Sequence, residues 1–150
     1  MFRHILVPTD GSPPSARAAR LAIRLAKSSG GRISFLHVVA PFVPSVYTDG
    51  IVAYPDLFSE AEYKRFTHKH ATTLLARLAR AAAAAKVRSA TAIVDAKPEW
   101  KAILAAARSR RCDLIVMGSH GRRGLEAVLL GSVTTKVLTH SARRPVLVCR

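Results

Sequence analysis

The chain has 150 residues, the size of one domain, and is long enough to bury roughly two thirds of the surface its unfolded form would expose. Hydrophobic residues make up 49%, which excludes wholesale disorder, and no apolar run reaches the ~18 residues that a membrane-spanning helix needs. Lys and Arg number 24 against 9 acids, a formal net charge of +15 that favours contact with polyanions or phosphorylated ligands and says nothing about fold.

The opening "MFRHILVPTDGS" does not read as a secretory leader, because its apolar part is short and Pro8 and Asp10 follow at once. "HILVP" reads as a short buried strand ended by Pro8. "GSPPSARAARLAIRLAKSSGG" reads as a helix with Ser12 as N-cap and Pro13 at the first helical position. Ala18, Leu21, Ala22 and Leu25 fall on its apolar face, Arg17, Arg20, Arg24 and Lys27 on the other, and Gly30 and Gly31 stop it. "RISFLHVVAP" is a second apolar strand, in which His37 reads as a core histidine with its hydrogen bond satisfied.

Residues 41–56 carry Pro41, Pro44, Asp49, Gly50 and Pro55 and read as a long mobile loop. Helical patterning resumes from about Leu57 to Lys86, with Leu74, Leu75 and Leu78 on one face. His68 and His70, two apart, do not share a helix face and are not expected to form a metal site. "RSATAIVD" is a third, more alternating strand, and "KPEWKAILAAARSR" a helix opened by Pro98 that buries Trp100, Ile103, Leu104 and Ala107. "CDLIVMG" is the fourth strand. A helical stretch follows from Leu125, breaks at Gly131 and resumes from Ser132 to about His140, before the last strand, "RPVLVCR". Cys112 and Cys149 lack metal-ligand spacing and read as free thiols of a reducing cytoplasm.

Five strands alternating with helices imply an α/β fold over residues 1–150, a single domain with an open parallel sheet in the order 3-2-1-4-5 and helices on both faces. "HILV", "LIVM" and "VLV" are apolar on both sides, as such a sheet requires. Ligands of these sheets bind beyond the carboxyl ends of the strands where the strand order reverses, here between strands 1 and 4. "PTDGS" and "GSHGRRG" should therefore share one crevice.

Glycines at 118 and 121 would let the main chain approach a ligand, and consecutive N–H groups in such a loop can surround an anion. Ser132 opens a helix whose dipole favours negative charge, and its hydroxyl can cap that helix or donate to a phosphate oxygen. Arg122 and Arg123 could neutralise outer phosphates, and Asp10 could accept from a ribose hydroxyl or base amine or help hold a metal. Neither a Gly-x4-Gly-Lys-Ser/Thr loop nor a Gly-x-Gly-x-x-Gly turn is present, so local chemistry leaves phosphate binding and a plain glycine turn both open.

At these residues the chain resembles the universal stress protein family over essentially its whole length. "ILVPTDGS" is similar to that family's first strand and loop, "LHVV" to its second strand, and "DLIVMGSHGRRGLEAVLLGSV" with "RPVLV" to its C-terminal signature. The family's nucleotide motif, Gly-x2-Gly-x9-Gly-Ser/Thr, reads here as Gly118, Gly121, Gly131 and Ser132, which marks the ATP-binding branch.

The resemblance implies a Rossmann-like fold that binds ATP, or a related adenine nucleotide, with Mg2+ or Mn2+. Pro8, Thr9 and Asp10 then lie near the nucleoside, Val38 beside the adenine, and Met117 and Gly118 at the base and ribose. His120, Gly121, Arg122, Gly131, Ser132, Val133 and Thr134 surround the ribose and phosphates. It further implies a cytoplasmic stress-response sensor or regulator with at most slow hydrolysis, paired as a homodimer through Pro145 to Cys149. Ala96-Lys97-Pro98 replaces the family's Gly-x-Pro, a change expected to lie away from the ligand. Two other readings remain: a polyanion or nucleic-acid binder using the basic surface, and an interaction protein with a vestigial nucleotide site. Aromatic residues at only 6% argue against single-strand recognition.

Overall fold

A computed structural model describes residues 1–42, 59–121, 130–142 and 144–150. Its elements follow the chain as β1 (His4–Pro8), α1 (Pro13–Ser29), β2 (Arg32–Val39), α2 (Glu60–Ala84), β3 (Arg88–Asp95), α3 (Glu99–Ser109), β4 (Leu114–Gly118), α4 (Ser132–His140) and β5 (Val146–Cys149). The strands form one parallel sheet in the order β3-β2-β1-β4-β5. The loop expected over 41–56 lies, beyond Phe42, outside the described residues, as does the helical stretch expected from Leu125.

Alternate side chains of the central strands feed two cores. Ile5 and Val7 of β1, Ile33 and Phe35 of β2, and Leu114 and Val116 of β4 pack under α1 and α2. Leu6, Leu36, Ile115 and Met117 point the other way, onto α3 and α4 through Ile103, Leu104, Ala107 and Val137. This two-sided burial is why β1 and β4 read as unbroken apolar runs.

α1 starts as expected: Ser12 is extended, its hydroxyl accepts from the Ser15 N–H, and proline occupies the first turn. It ends at Gly30, whose φ of +63° lies in the left-handed region that favours glycine. The buried stripe differs from the expected one. Ala18, Ala19, Ala22 and Ala26 form it, while Leu21 and Leu25 are only half-buried at its flanks. Small side chains at the contact let the helix axis sit close to the sheet, and the longer leucines reach in from the sides. α2 begins at Glu60, three residues later than expected, because Ser59 and Glu62 make a reciprocal capping box. Trp100, expected in the core, is half-buried.

"VLV" was expected to be covered on both sides. β5 is instead an edge strand, with Leu147 37% exposed and Val146 and Val148 half-buried.

Candidate functional site

β1 and β4 run side by side, with Ile5 opposite Leu114 and Leu6 opposite Ile115. The chain leaves β1 toward β2 on one side, whereas β4 is followed by β5 on the other, so the two carboxyl ends open a crevice between diverging connections. A cavity of about 450 Å³ occupies it.

The loop after β1 forms one wall and is held by its own hydrogen bonds. Thr9 N–H donates to Leu36 O (2.9 Å) and Thr9 Oγ1 to Ser15 Oγ (3.1 Å). Asp10 Oδ1 accepts from Ser12 N–H (3.0 Å), a local turn that leaves the carboxylate at the rim of α1. His37 Nδ1 lies 2.8 Å from Thr9 O, which ties the middle of β2 to this loop, as a satisfied core histidine would.

The opposite wall joins the loop after β4 to the start of α4. Ser119 N–H donates to Cys149 O (2.6 Å), Gly131 N–H to Ser119 O (2.7 Å), and the buried Thr134 Oγ1 to Gly118 O (2.9 Å). His120 Nδ1 is 3.0 Å from Ser119 Oγ. A Cβ on Gly121 would stand 2.6 Å from Asp10 Oδ2, so glycine there allows the two walls to approach. A Cβ on Gly131 would stand 3.1 Å from His120 Cα.

Ser132 does not cap α4. Gly131 is the N-cap residue, in an extended conformation, and as a glycine it makes no side-chain cap bond. Ser132 is the first helical residue, so the N–H groups of the opening turn lack a side-chain cap on the side that lines the cavity.

The expected site residues gather in one place. Pro8, Thr9, Asp10 and Val38 line the cavity from β1 and β2. Met117, Gly118, His120 and Gly121 line it from β4 and its loop, and Gly131, Ser132, Val133 and Thr134 from α4. Arg122 and Arg123 lie outside the described residues. Gly118 also has a packing reason: a Cβ there would be 2.8 Å from Ser15 N and 3.0 Å from the carbonyl carbon of Pro14. It is therefore where β4 touches the first turn of α1.

Sequence reasoning missed Ser15, Leu36, Ala40, Glu99 and Ile103, which also line the cavity. Ala96, Lys97 and Pro98 are not among the described lining residues, but Glu99, the next residue, lines the cavity. A signal was present. In a parallel sheet every helix following a strand begins at the carboxyl edge, so the first residues of α3 had to be near the crevice. Among the described lining residues the acids are Asp10 and Glu99.

Among the described residues no three His, Cys, Asp or Glu side chains are grouped to hold a metal ion. Mg2+ commonly takes only one or two protein carboxylates together with phosphate oxygens and water. Asp10, beside the glycine loop, fits that shared arrangement. The two cysteines are free thiols. Burial pushes the Cys112 thiol up to about 11, and burial also raises that of Cys149, so both favour the protonated, unreactive form at neutral pH.

A family model for the universal stress protein family matches residues 1–150. The chain belongs to that family. A universal stress protein of Bacillus subtilis, YxiE, is 35% identical over the full length of both chains. One from Methanocaldococcus jannaschii, MJ0531, is 33% identical over all of this chain and 83% of its own length. The solved structure of MJ0577, described as a structure-based assignment of biochemical function, superposes with a TM-score of 0.81 at 26% identity, covering 99% of this chain and 96% of the other. Universal stress proteins solved with cAMP and with dAMP share the fold, at TM-scores of 0.70 and 0.64 and identities of 23% and 18%, each pairing covering 97% or more of both chains. Membership accounts for the architecture: the five-stranded parallel sheet and its strand order match the fold of the family's solved structures.

Proposed function

We propose that this universal stress protein binds ATP, or a related adenine nucleotide, in the β1/β4 crevice and acts as a stress-response sensor or regulator. The observation that carries this reading is the joining of two distant stretches of chain. Gly118 and Gly121 line one wall of the cavity together with Gly131 and Ser132, tied by the Gly131 N–H to Ser119 O bond. An uncapped helix start and a glycine loop supply backbone N–H groups and a favourable dipole for phosphate. The apolar end, Val38, Ile103 and Met117, suits a flat base. Family relatives of the same fold solved with cAMP and dAMP are consistent with an adenine ligand.

The bound nucleotide acts by favouring one conformation or assembly that partners read. Hydrolysis is slow at most, since Asp10, the described carboxylate beside the glycine loop, already accepts from Ser12 N–H. Divalent metal enters with the phosphates beside Asp10. The assembly is a homodimer through the exposed edge of β5. Free cysteines fit a cytoplasmic setting.

The test is direct. Protein purified without added nucleotide is denatured and the supernatant chromatographed, and ATP binding is then titrated by calorimetry with magnesium present. Adenine nucleotide is expected to be released or bound, and replacing Ser132 with Trp is expected to abolish binding. Absence of any adenine nucleotide binding overturns the reading. In that event, duplex-DNA binding that weakens steeply with salt would support the polyanion alternative.

A further inference from the structure

The cavity has two chemically different ends. Asp10 and the glycine loop mark one, where Asp10 Oδ2 lies against Gly121. At the other, Leu36, Val38, Ile103 and Met117 belong to the core packed under α3. Into that apolar end the chain brings one carboxylate, Glu99, the first residue of α3. Glu99 precedes Ile103 by four residues, so both lie on one face of α3, and that face lines the cavity. The turn before α3 is fixed to the end of β2 by the Ala96 N–H bond to Val39 O (3.1 Å), and Glu99 lines the same cavity as Ala40 and Val38.

A carboxylate beside an apolar slot for a flat ring is costly unless it meets a donor. Ionised, it only accepts hydrogen bonds. Glu99 is half-buried and stands in the first turn of α3. The part of a nucleotide that reaches this end is the base, and the donor a base offers on its edge is an amine.

We propose that Glu99 is the specificity-determining residue of this cleft, its carboxylate accepting a hydrogen bond from an amino group on the edge of the bound purine. The inference rests on the nucleotide-binding reading above and deepens it. Glu99 does not hold the phosphates. It selects which base enters, because a base that covers the carboxylate without offering an amine leaves that acceptor unmatched. Replacing Glu99 with Ala removes the acceptor. Replacing it with Gln keeps an acceptor without the charge that strengthens the bond.

The experiment compares ATP with purine riboside triphosphate, which lacks only the 6-amino group, and includes GTP as a third arm. Dissociation constants are measured for the native chain, Glu99→Ala and Glu99→Gln. The native chain is expected to prefer ATP over the deaminated analogue by about tenfold to a hundredfold, the range of a hydrogen bond to a charged group. In Glu99→Ala that ratio should fall close to one, mainly through lost ATP affinity, and in Glu99→Gln it should be intermediate. A helix-stabilising role alone would lower melting temperature and leave the ratio where it was, and that outcome overturns the inference. Tight GTP binding with weak ATP binding, still dependent on Glu99, would overturn the adenine assignment and retain the base-selecting residue. Failure of all three nucleotides to bind the native chain overturns both.

Discussion

Gly118 and Gly121 are alike in sequence and unlike in what surrounds them. A methyl on Gly118 would meet main-chain atoms, Ser15 N at 2.8 Å and the Pro14 carbonyl carbon at 3.0 Å. Those atoms belong to the first turn of α1, which cannot move without disturbing the core below it. A methyl on Gly121 would meet the far end of one side chain, Asp10 Oδ2 at 2.6 Å, which can rotate away. The two alanine variants should therefore separate fold from function. Gly118→Ala is expected to cost about 1–3 kcal/mol, as overpacking does, and to lower the melting temperature by several degrees. Gly121→Ala should melt close to the native chain but bind nucleotide more weakly, because Asp10 is displaced from its turn with Ser12. Thermal melts and nucleotide titrations of both variants check this. A Gly118→Ala protein as stable as native would mean that β4 and α1 are not in close contact.

At the scale of elements, the sheet ends in two unlike edges. β3 is largely exposed but long, and pairs with β2 over all eight of its residues. β5 is four residues long, apolar and half-covered, and Leu147 is exposed at 37%. A short apolar edge with unpaired backbone groups invites a second strand, and a second copy of β5 is the proposed occupant. The charge of +15 on each chain opposes that pairing, so salt should strengthen the dimer rather than weaken it. Sedimentation is expected to show a dimer that tightens as salt rises. Leu147→Glu should sediment as a monomer with unchanged helix content. A monomeric native chain at micromolar concentration and high salt would sink this assembly.

At the scale of the whole molecule, strand order and both cores were legible because β1 and β4 are buried on both faces and write continuous apolar runs. The crevice was legible through the switch of strand order between strands 1 and 4, and the grouping of Gly118, Gly121, Gly131 and Ser132 at one cavity through the resemblance to the family's motif. Other features were hidden for physical reasons. Leu21 outranks Ala19 in hydrophobicity, but close helix-to-sheet packing favours the smaller side chain. Glu99 carried no motif, and only the topology of a parallel sheet brings the start of α3 to the crevice. Ser59 and Glu62 do carry a readable signature, a Ser-x-x-Glu box that starts the helix at Glu60, past the leucine-based start at Leu57.

Charge also governs how the whole fold answers acid. The described ion pairs are few: Lys64 and His68 both meet Asp95, so most of the positive charge has no close acidic partner. Beneath that surface sits His4, 8% exposed, with Nε2 2.9 Å from Ser34 Oγ. Burial, then the Arg32 guanidinium, lowers its pKa below the ordinary histidine value. The Asp113 carboxylate, which accepts from the Arg3 and His4 N–H groups, opposes this without reversing it, and Arg110 adds a smaller positive field. The unfolded chain therefore takes up the His4 proton at a higher pH than the folded one. Above pH 6.5, the ordinary value, neither state binds it and stability is independent of this group. As pH falls through 6.5 toward the lower folded value, the unfolded state gains the proton first and stability drops. Melting temperature should thus decline from neutral pH into the acid range. Salt should recover the part due to surface repulsion, because the Debye length shortens to about 3 Å at 1 M, but not the part due to a buried imidazole. A His4→Gln variant is expected to start less stable at neutral pH and to show a shallower acid decline at high salt. If native and variant curves run parallel from pH 7 downward in high salt, the acid sensitivity lies elsewhere in the molecule.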